Sequence, residues 1–239
     1  MEAEKIIKLF GLSFSFSTTI SIIVVTVLLV GVFWYINHHL SVDKPNKLQL
    51  ALEWLVDFIQ EIVYQNFHTK DTGVYQLFAF VLFVFILLSN LIGLPFLLHF
   101  DGVSYWRSPT ADILVCATLA VMMNIISQLL AIQKKGLGGF LKSFWFKKWY
   151  TFPVTLIEEI INLTTLSLRL YGNIFAGEVL LGLIAQFGNL LGIWTWIPAI
   201  PLQIVWQAFS IFIGCIQAYI FVTLSMLYLS EKVQAGEEE

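Results

Sequence analysis

Charge is scarce in this chain. Only 13 of its 239 residues are Lys or Arg and 16 are Asp or Glu, 12% in all, against 58% hydrophobic residues. With a mean hydropathy of +0.82, that balance excludes a soluble domain and indicates a polytopic membrane protein. One compact membrane domain, residues 1–239, uses up the length and leaves no room for a soluble catalytic module. Cysteine is scarce too: Cys116 and Cys215 both lie in apolar segments, where packing is the expectation rather than a disulfide or a metal site. No HExxH, GxSxG or Cys pair is present, so enzyme chemistry and a bound metal have no motif to rest on. Gly136, Gly138 and Gly139 lie among lysines without the strand, spacing or Ser/Thr of a phosphate-binding loop, and read as an inside loop. The first apolar run, 9–37, has no clear small-residue cleavage site; it reads as a retained helix, with a cleaved signal as the alternative.

What remains is a series of long apolar runs. A hydrocarbon core about 30 Å thick needs about 20 apolar residues per helix, and crossings are expected at 16–36, 74–98 and 113–132. A long C-terminal pair follows over 153–229, broken by Pro198 and Pro201. Its first helix, some 55 Å long at about 1.5 Å per residue, exceeds the membrane thickness. A steep tilt is expected, with a bend at Gly172 or Gly177 as the competitor. Residues 48–67 differ: Leu48, Leu52, Leu55, Ile59, Ile62 and Val63 recur at helical spacing opposite Glu53, Asp57, Gln60 and Glu61. This is an amphipathic helix expected at the membrane surface. The fold class is therefore all-α, with five crossings, one surface helix and a long C-terminal hairpin. With the N-terminus outside, nine Lys fall in inside segments (44, 47, 70, 134, 135, 142, 147, 148, 232) and only Lys5, Lys8 and Arg107 outside. The positive-inside rule thus favours a cytoplasmic C-terminus.

The most informative residue is Arg169. No other charge lies between Ile160 and Gly177, and a mid-membrane guanidinium costs between about 3 and 15 kcal/mol. It cannot shed its proton to escape that cost. Either the fixed charge is used, or it is a structural ion pair. Glu158, Asn162, Thr165, Arg169 and Asn173 share one helical face, with Glu159 beside it and Glu178 roughly opposite. Gln203, Gln207, Ser210, Gly214 and Gln217 form a second polar face on the last helix. Such stripes face a protein interior, a water-filled cavity or a partner, or act as hydrogen-bonding glue between helices. For Arg169, Asn173, Glu178 and Gln217 an ion pathway is the better account. Asn90 either lines a cavity or makes a helix–helix hydrogen bond; Asp112 either lines a channel or caps a helix. His38 and His39, at the end of the first helix, are expected at the interface rather than on a metal.

Residues 168–178, LRLYGNIFAGE, resemble the signature of subunit a of the F-type ATP synthase. SPTAD (108–112) and IQAYIFV (216–222) support the resemblance, which covers essentially the whole chain and suggests a bacterial form. It implies a non-catalytic, cofactor-free stator subunit in the plasma membrane. Its partners would be the c-subunit ring, the peripheral-stalk b subunits, other ATP synthase subunits and the bilayer, with no nucleic acid. It implies two offset half-channels with Arg169 as the essential arginine between them. Asn173 and Gln217 match polar positions near that arginine, Glu178 a half-channel acid, and Glu159, less securely, an acid upstream. Ser210 stands where many relatives carry an ionisable residue, so a relay there needs water. Asn90, Asp112 and Asn162 are candidate channel lining. The alternative from another class is a stand-alone secondary transporter using Arg169 for an anionic substrate, which inverted repeats would favour; none is visible.

Overall fold

The computed structural model describes residues 6–9, 12–39, 46–67, 72–93, 99–100, 103–104, 108–141, 152–188 and 193–234. Six α-helices make up nearly all of it: α1 (Phe16–His39), α2 (Lys47–Asn66), α3 (Gly73–Gly93), α4 (Ile113–Leu141), α5 (Phe152–Gly188) and α6 (Ile193–Gln234). Two short antiparallel hairpins, Ile6–Leu9 with Leu12–Ser15 and His99–Phe100 with Val103–Ser104, lie between or before them. Five helices are long and apolar enough to cross a membrane, with spans Phe16–Tyr35, Gly73–Gly93, Ile113–Gln133, Leu156–Gly188 and Trp194–Val233. The architecture is that of an all-α polytopic membrane protein. The stretch 94–98, expected to complete the second crossing, lies outside the described residues, as do Lys5, Lys44, Lys70, Arg107, Lys142, Lys147 and Lys148 from the charge count.

The exception is α2. The Asn46 side chain caps its start by accepting from the Lys47 N–H at 2.9 Å, and the Phe67 N–H closes its end on the Val63 carbonyl, also at 2.9 Å. Its apolar stripe buries Ile59, Ile62 and Val63 against α3 and α6, while Glu53, Asp57 and Glu61 keep to its solvent-accessible side. Phe58 reaches both neighbours, edge-on to Phe83 and tilted against Tyr219, with centroids 6.1 and 5.8 Å apart. α1, by contrast, is held mainly through α3, with Phe33 edge-on to Phe80.

The core lies where α3, α4, α5 and α6 meet. Ala79, Phe83 and Ile86 of α3 are buried there with Cys116 and Ala120 of α4, Leu166 and Leu170 of α5, and Phe221 and Met226 of α6. Packing there is mostly Phe, Leu and Ile against small residues, the pattern that lets apolar helices approach closely.

Two local expectations are corrected. Pro198 and Pro201 do not break the C-terminal pair; they lie inside α6, which begins at Ile193, while α5 ends at Gly188. Both stand beyond the first turn of α6 and leave the carbonyls of Trp194 and Ile197 without their usual N–H donors, yet the helix continues past them. The Thr195 hydroxyl bonds back to the Gly188 carbonyl at 2.8 Å and ties the start of α6 to the end of α5. The glycine cluster is not a simple loop either: helical backbone continues to Leu141 across a kink at Gly136, whose φ of 71° suits glycine. α5 runs without interruption through Gly172 and Gly177. Its 37 residues and the 42 of α6 correspond to about 55 and 63 Å of helix.

Candidate functional site

The polar residues separate into three groups. The first is a buried nest where α3, the 3-10 turn Pro109–Ala111, α5 and α6 converge. Asn90 is fully buried at its centre. Its amide nitrogen donates to the Gly214 carbonyl at 3.0 Å, and its oxygen accepts from the Thr110 hydroxyl at 2.8 Å. Ser108 contacts Thr110 oxygen to oxygen at 2.8 Å and donates to the Ser89 carbonyl at 3.0 Å. Two hydroxyl hydrogens therefore serve three contacts. The Ser108 N–H points to Glu178 Oε1 at a long 3.4 Å, so Glu178, Ser108, Thr110, Asn90 and Gly214 form one continuous polar chain across four elements. Trp206 Nε1 donates to the Gly177 carbonyl at 3.4 Å, fixing α6 beside α5 next to Glu178.

Local sequence explains the convergence. Ser108-Pro-Thr-Ala is a tight turn whose Ala111 N–H bonds the Ser108 carbonyl at 3.0 Å. It fits against α3 because position 93 is glycine: a Cβ there would sit 2.5 Å from the Ser108 Cα and closer still to its Cβ. Around this nest, Ser210 and Gln217 are 7% and 5% exposed, yet Ser210 Oγ and Gln217 Nε2 have no hydrogen-bond partner among the described residues. The same holds for the hydroxyls of Ser89 and Ser225. Each such group costs about 1–3 kcal/mol when left dry.

Arg169 stands apart. It is exposed on the outward face of α5, among exposed Thr165, Leu168, Gly172 and Phe175. No carboxylate among the described residues pairs with it. Asn162 and Asn173, two turns before and one turn after, are half-buried on the flank of this face, and Glu158 is exposed at its beginning. The polar stripe read from the sequence is thus an edge between the packed and the open side of α5.

The third group lies at the far end of the hairpin from the nest. Glu159 accepts from Lys232 Nζ in an ion pair and from Gln128 Nε2 at 3.1 Å, and Lys232 also donates to the Asn124 side chain. This brings α4, α5 and α6 together through one acid and one base. Asp112 belongs to none of the three: its carboxylate accepts from the Leu114 N–H at 2.9 Å, the geometry of a cap at the start of α4. His38 stacks on Trp34, and the His39 side chain lies outside the described residues.

Sequence reasoning overlooked Ser108, Thr110, Asn124, Gln128 and Lys232. Ser108 and Thr110 stood in the SPTAD motif, whose weight went to Asp112; Lys232 entered only as a topology charge. Their partners on other elements are 19 to 108 residues away in the chain, and no periodicity reports such distances.

The family model for the ATP synthase A chain matches residues 18–230. The ATP synthase subunit a of Enterococcus faecalis is 44% identical over 239 residues, covering 99% of this chain and all of that one. That of Enterococcus hirae is 48% identical over 197 residues, 81% of this chain and 82% of its own. That of Limosilactobacillus reuteri is 42% identical over 226 residues, 95% and 96% of the two chains.

Proposed function

Because the chain belongs to the ATP synthase A chain family, we propose that it is the proton-translocating stator subunit of a bacterial rotary ATP synthase. In this reading it is non-catalytic and multi-pass in the plasma membrane, with its N-terminus outside and its C-terminus cytoplasmic. It stands against a ring of c subunits, is braced by the peripheral-stalk b subunits, and opens two offset half-channels with Arg169 between them.

The observation that carries this reading is the position of Arg169: exposed on an apolar outward face, without a carboxylate partner among the described residues. Lipid is a poor neighbour for a guanidinium. A membrane carboxylate passing on a partner surface is a good one. At about 4 Å and an effective dielectric near 20, the attraction is about 4 kcal/mol, enough to hold that carboxylate ionised and so release its proton. Arg169 cannot itself take up and pass on a proton, so it separates the two paths instead of joining them. The C-terminal hairpin, far longer than the membrane is thick, meets the ring at a steep tilt.

The acids flank it. Glu178, in the buried nest, serves the outer half-channel; Glu159, at the other end of the hairpin, serves the inner one. Asn90, Asn173, Ser210 and Gln217 line the outer route, and Asn162 borders the inner one. Ser210 does not titrate, so protons pass it on water, for which its unpartnered hydroxyl and the Gln217 amide are ready hydrogen-bond partners. The drive is about 2.3 kcal/mol per proton per 100 mV. Arg169→Ala, in vesicles with normally assembled synthase, abolishes ATP-driven acidification and raises the passive proton leak. Pumping near the wild-type rate would leave Arg169 without a role in translocation.

A further inference from the structure

Lys232 is separated from Glu159 by 73 residues of sequence, yet the two form an ion pair at the junction of α4, α5 and α6. The pair is neither open nor sealed, with side chains 27% and 17% exposed for Lys232 and Glu159. Its surroundings are unequal. Glu159 receives Lys232 and the Gln128 amide, while Lys232 is also held by Asn124 from α4. Both amides therefore fix the orientation of the pair instead of supplying a competing charge. Among the described side chains, α4 contributes only these neutral groups here. α6 contributes Lys232 with exposed Glu231 beside it and half-buried Tyr228 one turn earlier, and α5 adds the exposed Glu158.

We propose that Lys232 is a positioning residue for proton transfer: it anchors Glu159 as the ionised terminal acid of the inner half-channel and sets the cytoplasmic pH at which that acid can load a proton. The proposal rests on the reading of Glu159 as the inner-channel acid. The physical reason is direct. A cation in contact with a carboxylate stabilises its charged form, and a lysine held from a second helix by Asn124 cannot swing away without breaking a contact on α4. Without that cation, Glu159 loses the contact that fixes both its charge and its place at the junction of α4, α5 and α6. Removing one member of such a pair is also more disruptive than removing both, because the survivor is left partly desolvated and alone.

The test uses inverted membrane vesicles carrying the whole synthase, in which the bath titrates the cytoplasmic side. ATP-driven acidification is followed across bath pH and normalised to assembled complex. Lys232→Met displaces the pH midpoint of pumping, and Lys232→Arg, which keeps the charge, leaves it at the wild-type position. A midpoint that does not move in Lys232→Met, at whatever amplitude, overturns the proposal and leaves Lys232 as a helix brace. Where Lys232→Met fails to assemble, Asn124→Ala carries the test: it keeps both charges but releases the lysine from α4. A midpoint displaced the same way supports the proposal, and an unmoved one overturns it. Arg169→Ala in the same vesicles separates the two levels. Pumping by that variant sinks the half-channel reading itself, whereas an inactive Arg169→Ala beside an unmoved Lys232→Met sinks only the role of Lys232.

Discussion

Gly93→Ala should loosen the outer polar nest as a unit. The new Cβ would lie 2.5 Å from the Ser108 Cα, about 1 Å inside the roughly 3.5 Å at which carbons touch. The obstacle is backbone, so no side-chain rotation relieves it, and the turn Ser108–Ala111 must retreat from α3. A retreat of that size breaks the Ser108–Ser89 bond at 3.0 Å and the Thr110–Asn90 bond at 2.8 Å, and ends the 3.4 Å approach of the Ser108 N–H to Glu178. Overpacking costs about 1–3 kcal/mol and each of the two hydrogen bonds about 1 kcal/mol net, so the expected loss is about 3–5 kcal/mol. At about 2–4 °C per kcal/mol for a chain of this size, heat inactivation of pumping in vesicles should set in on the order of 10 °C lower. Glycine has no special φ at position 93, so the effect must come from the clash. Ser108→Gly on the same background, removing the nearer atoms, should recover part of the loss. Gly93→Ala with wild-type heat resistance and wild-type pumping would refute both the close approach and the reasoning built on it.

Two further outcomes follow from the same geometry. Glu178→Gln keeps the size and the acceptor for the Ser108 N–H but loses the titratable group. Acidification in vesicles should fall at least tenfold with assembly unchanged, and a rate within twofold of wild type would remove Glu178 from the path. Gln217→Leu replaces a 95% buried amide whose nitrogen has no partner among the described residues. With water as its partner along the outer route, losing the amide slows pumping while assembly is unchanged; a wild-type rate would remove Gln217 from the path.

Much of this was legible along the chain because membranes enforce simple rules. Long apolar runs report crossings, the stripe of Leu48 to Val63 reports a surface helix, and spacing places Arg169, Asn173 and Asn162 on one edge of α5. The limits were equally physical. The prolines of α6 read as a break because a missing N–H normally ends a helix, but α6 continues past both, a tolerance that no local pattern reports. Lys232 read as an inside charge because topology counting treats every lysine alike, and nothing local reports a carboxylate on another helix. Asn90 left two readings open from sequence. Its two bonds, to Thr110 and to Gly214, bind helix to helix, and they do so within the nest that also holds Glu178.

The Ser108 and Thr110 hydroxyls have one hydrogen each, and their two oxygens share three contacts. Three arrangements place the two hydrogens. Both hydroxyls can donate outward, to Ser89 and to Asn90, which leaves the Ser108–Thr110 contact without a hydrogen; or Ser108 donates to Ser89 and Thr110 to Ser108; or Ser108 donates to Thr110 and Thr110 to Asn90. They differ only by the rotation of two O–H bonds, with every heavy atom in place. The turn is thus fixed as a scaffold while the direction of its hydroxyl dipoles is not.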